Sequence, residues 1–356
     1  MRIVITGASG NVGTALLRCL EDVHEVVGVA RRVPDHAVGP YSRADWHSVD
    51  IGEPGADRVL ADLFAGADAV VHLAWGVSPA REDPPMSRTN ADGTANVLEA
   101  VQNAGVGHLV CASSVAAYSP APRDDKVGEE WPCHGIAASA YSRGKAELET
   151  ELDQFVSAHP QIRVARMRPC AVLQRQAAGE FARWSLGPAL PPRLIGSRFL
   201  PIPAWAGLRV QAVHADDLAE ALRLVLDQRA VGPFNIAADD VLDSTALAHV
   251  LGGTRLPVTN PVARTATRAA WLAGLLPLHP GWLELADQAP LVDATRARLV
   301  LGWIPRHSSA DAVRDLVEGL RRGDGAASAP LAVSRPGLLG RVKAMGTGRP
   351  TRQSQA

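Results

Sequence analysis

The sequence predicts an α/β fold built on a doubly wound parallel sheet, joined to a smaller, discontinuous C-terminal substrate-binding unit. Three observations carry this. Short β-branched runs alternate with helix-period stretches through the first half of the chain. A glycine-rich turn stands between the first strand pattern and the first helix pattern. From about residue 173 the alternation gives way to an irregular stretch rich in Pro, Trp and Arg.

The elements follow in order. Ile3-Val4-Ile5 reads as a strand, and Val12, Leu16, Leu17 and Leu20 mark one face of the helix after it. Further strands are expected at 26–30, 46–49, 69–73, 109–113 and 164–167, with helices near 56–64, 90–104 and 140–157. Strand–helix alternation implies right-handed crossovers, a sheet covered on both faces, and ligands at the carboxyl ends of the strands. Pro188, Pro191, Pro192, Pro201 and Pro203 then break any long element. Residues 208–236 again read as strand, helix and strand and are expected to return to the first domain, 1–172. The substrate unit is expected at 173–207 and 237–325, closing with a helix near 309–321 on which Val313, Leu316, Val317 and Leu320 share a face. Residues 326–356 hold five cations, Arg335, Arg341, Lys343, Arg349 and Arg352, and no acid, in a Gly-, Ser- and Pro-rich context. They are expected to form a disordered basic tail.

Composition narrows the function classes. With 356 residues, 47% apolar and 21% charged, and a net charge of −1, this is an ordinary globular chain with nothing that favours nucleic acid as a partner. The four cysteines (19, 111, 133, 170) lack metal or disulfide spacing, and no H-E-x-x-H pattern occurs, so no metal is expected. The run Ala269 to Leu278 is too short to span a bilayer, and the N-terminus lacks a signal pattern. A cytoplasmic protein with no integral membrane segment is expected.

Two motifs carry chemistry. Thr6-Gly-Ala-Ser-Gly-Asn-Val-Gly13 joins strand to helix, where glycines allow a tight turn and close approach of backbone to a pyrophosphate at the helix N-terminus. The second is Tyr141-Ser-Arg-Gly-Lys145, in a chain with only three tyrosines and three lysines. Residues 141, 145, 148, 152 and 155 form one helical stripe whose apolar members, Leu148, Leu152 and Phe155, turn Tyr141 and Lys145 inward. A neighbouring ammonium would hold the phenol below its usual value and fit it for proton transfer.

The G-x-x-G-x-x-G spacing and Tyr141-x-x-x-Lys145 together resemble the extended branch of the short-chain dehydrogenase/reductase superfamily, the NAD(P)-dependent epimerases, dehydratases and reductases. His72-Leu-Ala74, Asn90-Ala-Asp-Gly-Thr94, Ser113-Ser114, Val213-His-Ala-Asp-Asp217 and Asp293 through Pro305 strengthen the resemblance, which covers residues 1 to about 322. It implies a Rossmann-type domain, with Tyr141 as general acid/base, Lys145 on the nicotinamide ribose and Ser114 on the substrate oxygen. Tyr118, four residues on, selects Ser114 over Ser113. It further implies cofactor contacts from Gly7, Ser9, Gly10, Asn11, Val12, Gly13, Asp50, Ile51, Leu73, Ala74, Trp75, Asn90, Pro169 and Cys170.

Ala30 stands where an acid would contact the adenosine ribose, and Arg31 and Arg32 follow it. The expected cofactor is therefore NADP, with NAD as the alternative. Ser114-Val-Ala116 lacks the carboxylate that dehydration would need. A carbonyl reductase or alcohol dehydrogenase acting on a small molecule fits best, with a sugar epimerase second and a non-catalytic NADP sensor third. Trp131, Cys133 and His134 are candidate substrate contacts, and Trp184, Trp205, Trp271 and Trp282 suggest apolar or ring-stacking surfaces. His214 is expected to be structural, beside an Asp-Asp helix cap. A homodimer across the helices near 90–104 and 140–157 is implied by the resemblance alone.

Overall fold

The computed structural model describes residues 1–20, 23–77, 87–185, 195–276 and 278–333. Seven parallel strands form the central sheet: β1 (Arg2–Thr6), β2 (Glu25–Ala30), β3 (Asp45–Ser48), β4 (Ala69–His72), β5 (His108–Ala112), β6 (Arg163–Pro169) and β7 (Gly232–Ile236). Their order across the sheet is β7-β6-β5-β4-β1-β2-β3. Chain direction across the sheet therefore reverses at β1, which pairs with β2 on one side and with β4 on the other. The crevice at such a switch point opens at the carboxyl ends of the strands. The six strands anticipated in the first half all occur, and β7 joins the sheet through the 208–236 segment.

Helices cover both faces, because strands buried on both sides must hide apolar side chains in each direction. On one face α2 (Ala56–Phe64), α3 (Gly93–Asn103) and α4 (Ala140–Ala158) pack Leu60, Phe64, Val97, Val101, Leu148 and Leu152 against the sheet. On the other, α1 (Asn11–Cys19), α6 (Ala215–Gln228) and α10 (Thr295–Leu301) bury Leu16, Leu17, Leu222, Val225 and Leu301. The remaining helices are α5 (Ala178–Ser185), α7 (Ser244–Val250), α8 (Asn260–Leu272), α9 (Gly281–Gln288) and α11 (Ser309–Arg322). A second core gathers Leu173, Ile195, Leu242, Val250, Val313 and Leu316 around α11. Short parallel pairs, 201–204 with 254–257 and 171–173 with 212–214, complete this part of the molecule.

One boundary differs from expectation. Residues 326–333 belong to the folded structure: Leu331 is fully buried, and Arg183 donates to the carbonyls of Pro330 and Ala332. A single apolar anchor and backbone carbonyls used as acceptors hold this stretch, features that composition does not reveal. The expected tail beyond it, 334–356, lies outside the described residues.

Candidate active site

The glycine loop is shaped by close packing. Gly7 has φ +74°, and a Cβ there would lie 2.6 Å from the Ala74 nitrogen. A Cβ on Gly13 would lie 2.5 Å from the Ala8 carbonyl oxygen. Only glycine fits either place, and the loop is thereby drawn against the exit of β4. Helix α1 starts directly after Gly10, which offers no side-chain cap. Its first N–H groups and its dipole are left to an anion. The cradle that a Cβ would fill and the uncapped helix start fit the pyrophosphate of a nicotinamide dinucleotide.

A cavity of about 770 Å³ extends from this loop. Gly7, Ser9, Gly10, Asn11, Val12, Gly13, Arg31, Arg32, Ile51, Leu73, Ala74, Trp75, Pro169 and Cys170 line it, together with Ser114, Tyr141 and Lys145. Two expected cofactor contacts do not. The Asp50 carboxylate accepts from Arg88 at 2.7 Å and from the Gly52 N–H at 3.2 Å, so its charge is spent on a neighbouring loop. Asn90 clamps the chain instead, accepting from the Gly76 N–H at 2.6 Å and donating to the Gly76 carbonyl at 3.0 Å, which fixes Trp75 beside it.

The three residues expected to be catalytic, Ser114, Tyr141 and Lys145, are brought together at the N-terminal end of α4. Ser139 caps the helix, and Ser142 donates to the Ala116 carbonyl at 2.6 Å while accepting from the Ile136 N–H at 2.7 Å. These bonds tie the first turn of α4 to the turn that carries Ser114. The Ser114 hydroxyl donates to the Pro169 carbonyl at 3.5 Å and accepts from the Ala116 N–H at 3.1 Å, and it lies close enough to Tyr141 to lower the phenol. The Lys145 ammonium donates to the Ala112 carbonyl at 2.8 Å and lies 3.6 Å from the centre of the Trp75 ring. Both serines line the cavity, but the Ser113 hydroxyl is engaged, donating to Glu149 at 2.5 Å.

The electrostatics differ from expectation. Burial raises the Tyr141 phenol above its ordinary value, only partly offset by the nearby Ser114 hydroxyl. The same desolvation pushes Lys145, 3% exposed, down to about 7. A lysine held partly neutral exerts little pull on the phenol, and Tyr141 stays protonated. The unfolded lysine titrates near 10.4, so between about 7 and that value the unfolded chain holds the extra proton. The contribution of Lys145 to stability therefore rises with pH across this window. With ¹³C-methylated lysines, the resonance missing from Lys145→Met is expected to titrate near 7; a midpoint near 10 would contradict this burial.

Among the described residues, Glu180 is the one carboxylate in the cavity wall, and burial pushes it up to about 7. Ser114 bonds no acid among the described residues.

Several other assignments are corrected. Trp131 donates to the Ser119 carbonyl and lies outside the cavity, as do Cys133 and the exposed His134. His214 itself caps α6, accepting from the Asp216 N–H, while Asp217 holds the 306–307 turn. Trp205 donates to Asp287, and neither it nor Trp271 lines the cavity; the side chain of Trp184 lies outside the described residues. Trp282 does line it, stacked on Tyr141 with ring centres 5.1 Å apart. Sequence reasoning also passed over Glu149, although it stands one helical turn beyond Lys145. It pairs with Arg166 and Arg168 beneath the site.

Comparisons with known proteins show the family and the fold. The family model described as "NAD dependent epimerase/dehydratase family" matches residues 3–237. An uncharacterized protein of Mycobacterium tuberculosis is 30% identical over 90% of this chain, which spans only 30% of that protein's length. A UDP-glucose 4-epimerase of Mycolicibacterium smegmatis is 28% identical, covering 90% of this chain and 99% of its own. A 3-diazoavenalumate denitrifying reductase of a Streptomyces species is also 28% identical, over 87% and 97%. In structure, the UDP-glucose 4-epimerase of Thermus thermophilus in complex with NAD superposes with a TM-score of 0.64 at 20% identity. It covers 90% of this chain and 99% of that one, a likeness of fold. Among the described residues no helix is long and apolar enough to cross a membrane. The chain belongs to the NAD-dependent epimerase/dehydratase family of the extended short-chain dehydrogenase/reductase superfamily, enzymes that work with a nicotinamide dinucleotide.

Proposed function

We propose that this protein is an NADP(H)-dependent oxidoreductase that interconverts a carbonyl compound and its alcohol, with Tyr141 as general acid/base. The observation that carries the reading is the meeting of Ser114, Tyr141 and Lys145 in the wall of the cavity that extends from the glycine loop, with no carboxylate hydrogen-bonded to Ser114 among the described residues. When bound, the nicotinamide supplies or accepts the hydride. Ser114 and Tyr141 hold the substrate oxygen between two hydroxyls. Tyr141, kept protonated by burial, donates its proton as the carbonyl oxygen gains charge. Lys145 would hold the nicotinamide ribose, and its ammonium form would stabilise the Tyr141 phenolate left after the proton has gone to the substrate oxygen.

The choice of NADP rests on the end of β2. Ala30 is followed by Arg31 and Arg32, both exposed and both in the cavity wall, where guanidiniums suit a phosphate. Replacing both by alanine is expected to weaken NADP⁺ binding about tenfold to a hundredfold while NAD⁺ binding changes less than about threefold. Isothermal titration calorimetry decides this; tighter binding of NAD⁺ than NADP⁺ by the unaltered protein would overturn the preference. A second reading, sugar epimerisation with a retained NAD, draws support from the mycobacterial relative.

A further inference from the structure

The substrate side of the cavity has an unusual economy of polar groups. Trp75, Val210, Leu278, Trp282 and Leu285 form its wall around Tyr141. Three of its polar members, Gln211, Arg209 and Lys145, are already engaged. Gln211 exchanges both its amide groups with the backbone of Val292, donating at 3.2 Å and accepting at 2.8 Å. Arg209 donates to the carbonyls of Ala206 and Leu208 and faces Asp124 at 3.4 Å. Lys145 is taken by the Ala112 carbonyl and the Trp75 ring, and Arg31 and Arg32 stand at the far, β2 end. The indole N–H of Trp75 is buried without an acceptor among the described residues.

A nucleotide sugar brings a diphosphate, whose desolvation must be repaid by charge-assisted bonds. Among the described residues the cations nearest this wall, Arg209 and Lys145, already bond backbone carbonyls, and Arg209 also faces Asp124. The wall offers instead aromatic and aliphatic faces and one unpaired neutral donor. We infer that the chamber takes an uncharged, planar, apolar carbonyl compound, an aryl or conjugated ketone or aldehyde, rather than a nucleotide sugar. Trp282 and Trp75 set that specificity. Trp282 stacks on the Tyr141 ring and so places an aromatic surface next to the phenol. A flat ring gains both apolar burial and favourable ring–ring geometry there. The inference rests on the proposed role of Tyr141 only for which end of the substrate reacts.

Calorimetry on the NADP⁺-saturated protein tests it with two probes, benzylideneacetone and UDP-glucose. The ketone is expected to bind at least about tenfold more tightly than UDP-glucose. Trp282→Ala should weaken the ketone about tenfold, Trp282→Phe should restore it to within about threefold, and NADP⁺ affinity should be unchanged in both. Equal or tighter binding of UDP-glucose, no ketone binding up to its solubility, or indifference to Trp282→Ala in a variant that still binds NADP⁺ would each overturn the inference. Turnover separates the two readings. Tyr141-dependent conversion of UDP-glucose without ketone binding removes this inference and leaves the proton donor in place. Ketone binding whose NADPH-driven reduction survives Tyr141→Phe removes the proton donor and leaves the chamber.

Discussion

Tyr141→Phe is expected to lower kcat/KM for carbonyl reduction by about a thousandfold while NADP⁺ affinity stays within about threefold. The substitution removes one oxygen and leaves the ring that stacks on Trp282. The cavity wall keeps its shape, and the proton donor is lost. A proton-transfer group positioned in the transition state contributes about 10²- to 10⁴-fold, which sets the scale. The pH dependence follows from the direction of the shift. Because burial raises the phenol, Tyr141 is protonated throughout the neutral range, and reduction should fall only on the alkaline side. Stopped-flow absorbance of NADPH consumption together with a cofactor titration of the same variant checks both halves. A variant that loses cofactor affinity and turnover together would show that the ring oxygen serves binding rather than proton transfer.

Glu149→Gln is expected to destabilise the protein by about 3–5 kcal/mol at neutral pH. Glu149 is 2% exposed and accepts from Arg168 twice at 2.7 Å, from Arg166 at 3.1 Å and from Ser113. Arg168 is itself 4% exposed, so removing the negative charge leaves a guanidinium buried against a neutral amide. Arg166 retains Asp153 at 2.6 Å, which places the loss toward the lower end of that range. Burial works to raise the Glu149 carboxyl, but the bonds and charge of Arg168, with Ser113 and Arg166, outweigh it and hold it below the ordinary range. A depressed folded value means that this stabilisation is present above the unfolded value of about 4.3 and is lost as pH falls through the folded one. Urea unfolding at pH 7 and pH 3 should show a large gap between parent and variant at the first pH and a smaller gap at the second. An equal gap at both would contradict the charge argument.

The site was legible in sequence to the extent that one element carried it. The stripe 141, 145, 148, 152 and 155 lies within α4, and its apolar half disclosed which way Tyr141 and Lys145 turn. The glycine loop was legible because Gly7 and Gly13 meet steric demands that a local strand–turn–helix already imposes. What escaped depends on contacts between distant segments. Trp282 reaches Tyr141 only after the chain has crossed back from the second core, and no spacing encodes that stack. Asp50 looked available until Arg88, 38 residues later, claimed its carboxylate. Whether Lys145 or Tyr141 would yield its proton depended on how deeply each is buried, and burial is a property of the assembled fold rather than of the motif. Residues 326–333 look like a linker in composition and are held by Leu331 and Arg183.

The measurement that bears most directly on the proposed activity is the identity of the nucleotide that leaves the freshly purified protein on denaturation, read by mass spectrometry. An NADP(H)-linked oxidoreductase must exchange its cofactor at every turnover. The account therefore predicts sub-stoichiometric NADP that dialysis removes, or none. Near-stoichiometric NAD that survives dialysis would contradict it and identify an enzyme that returns the hydride to its own substrate, as an epimerase does.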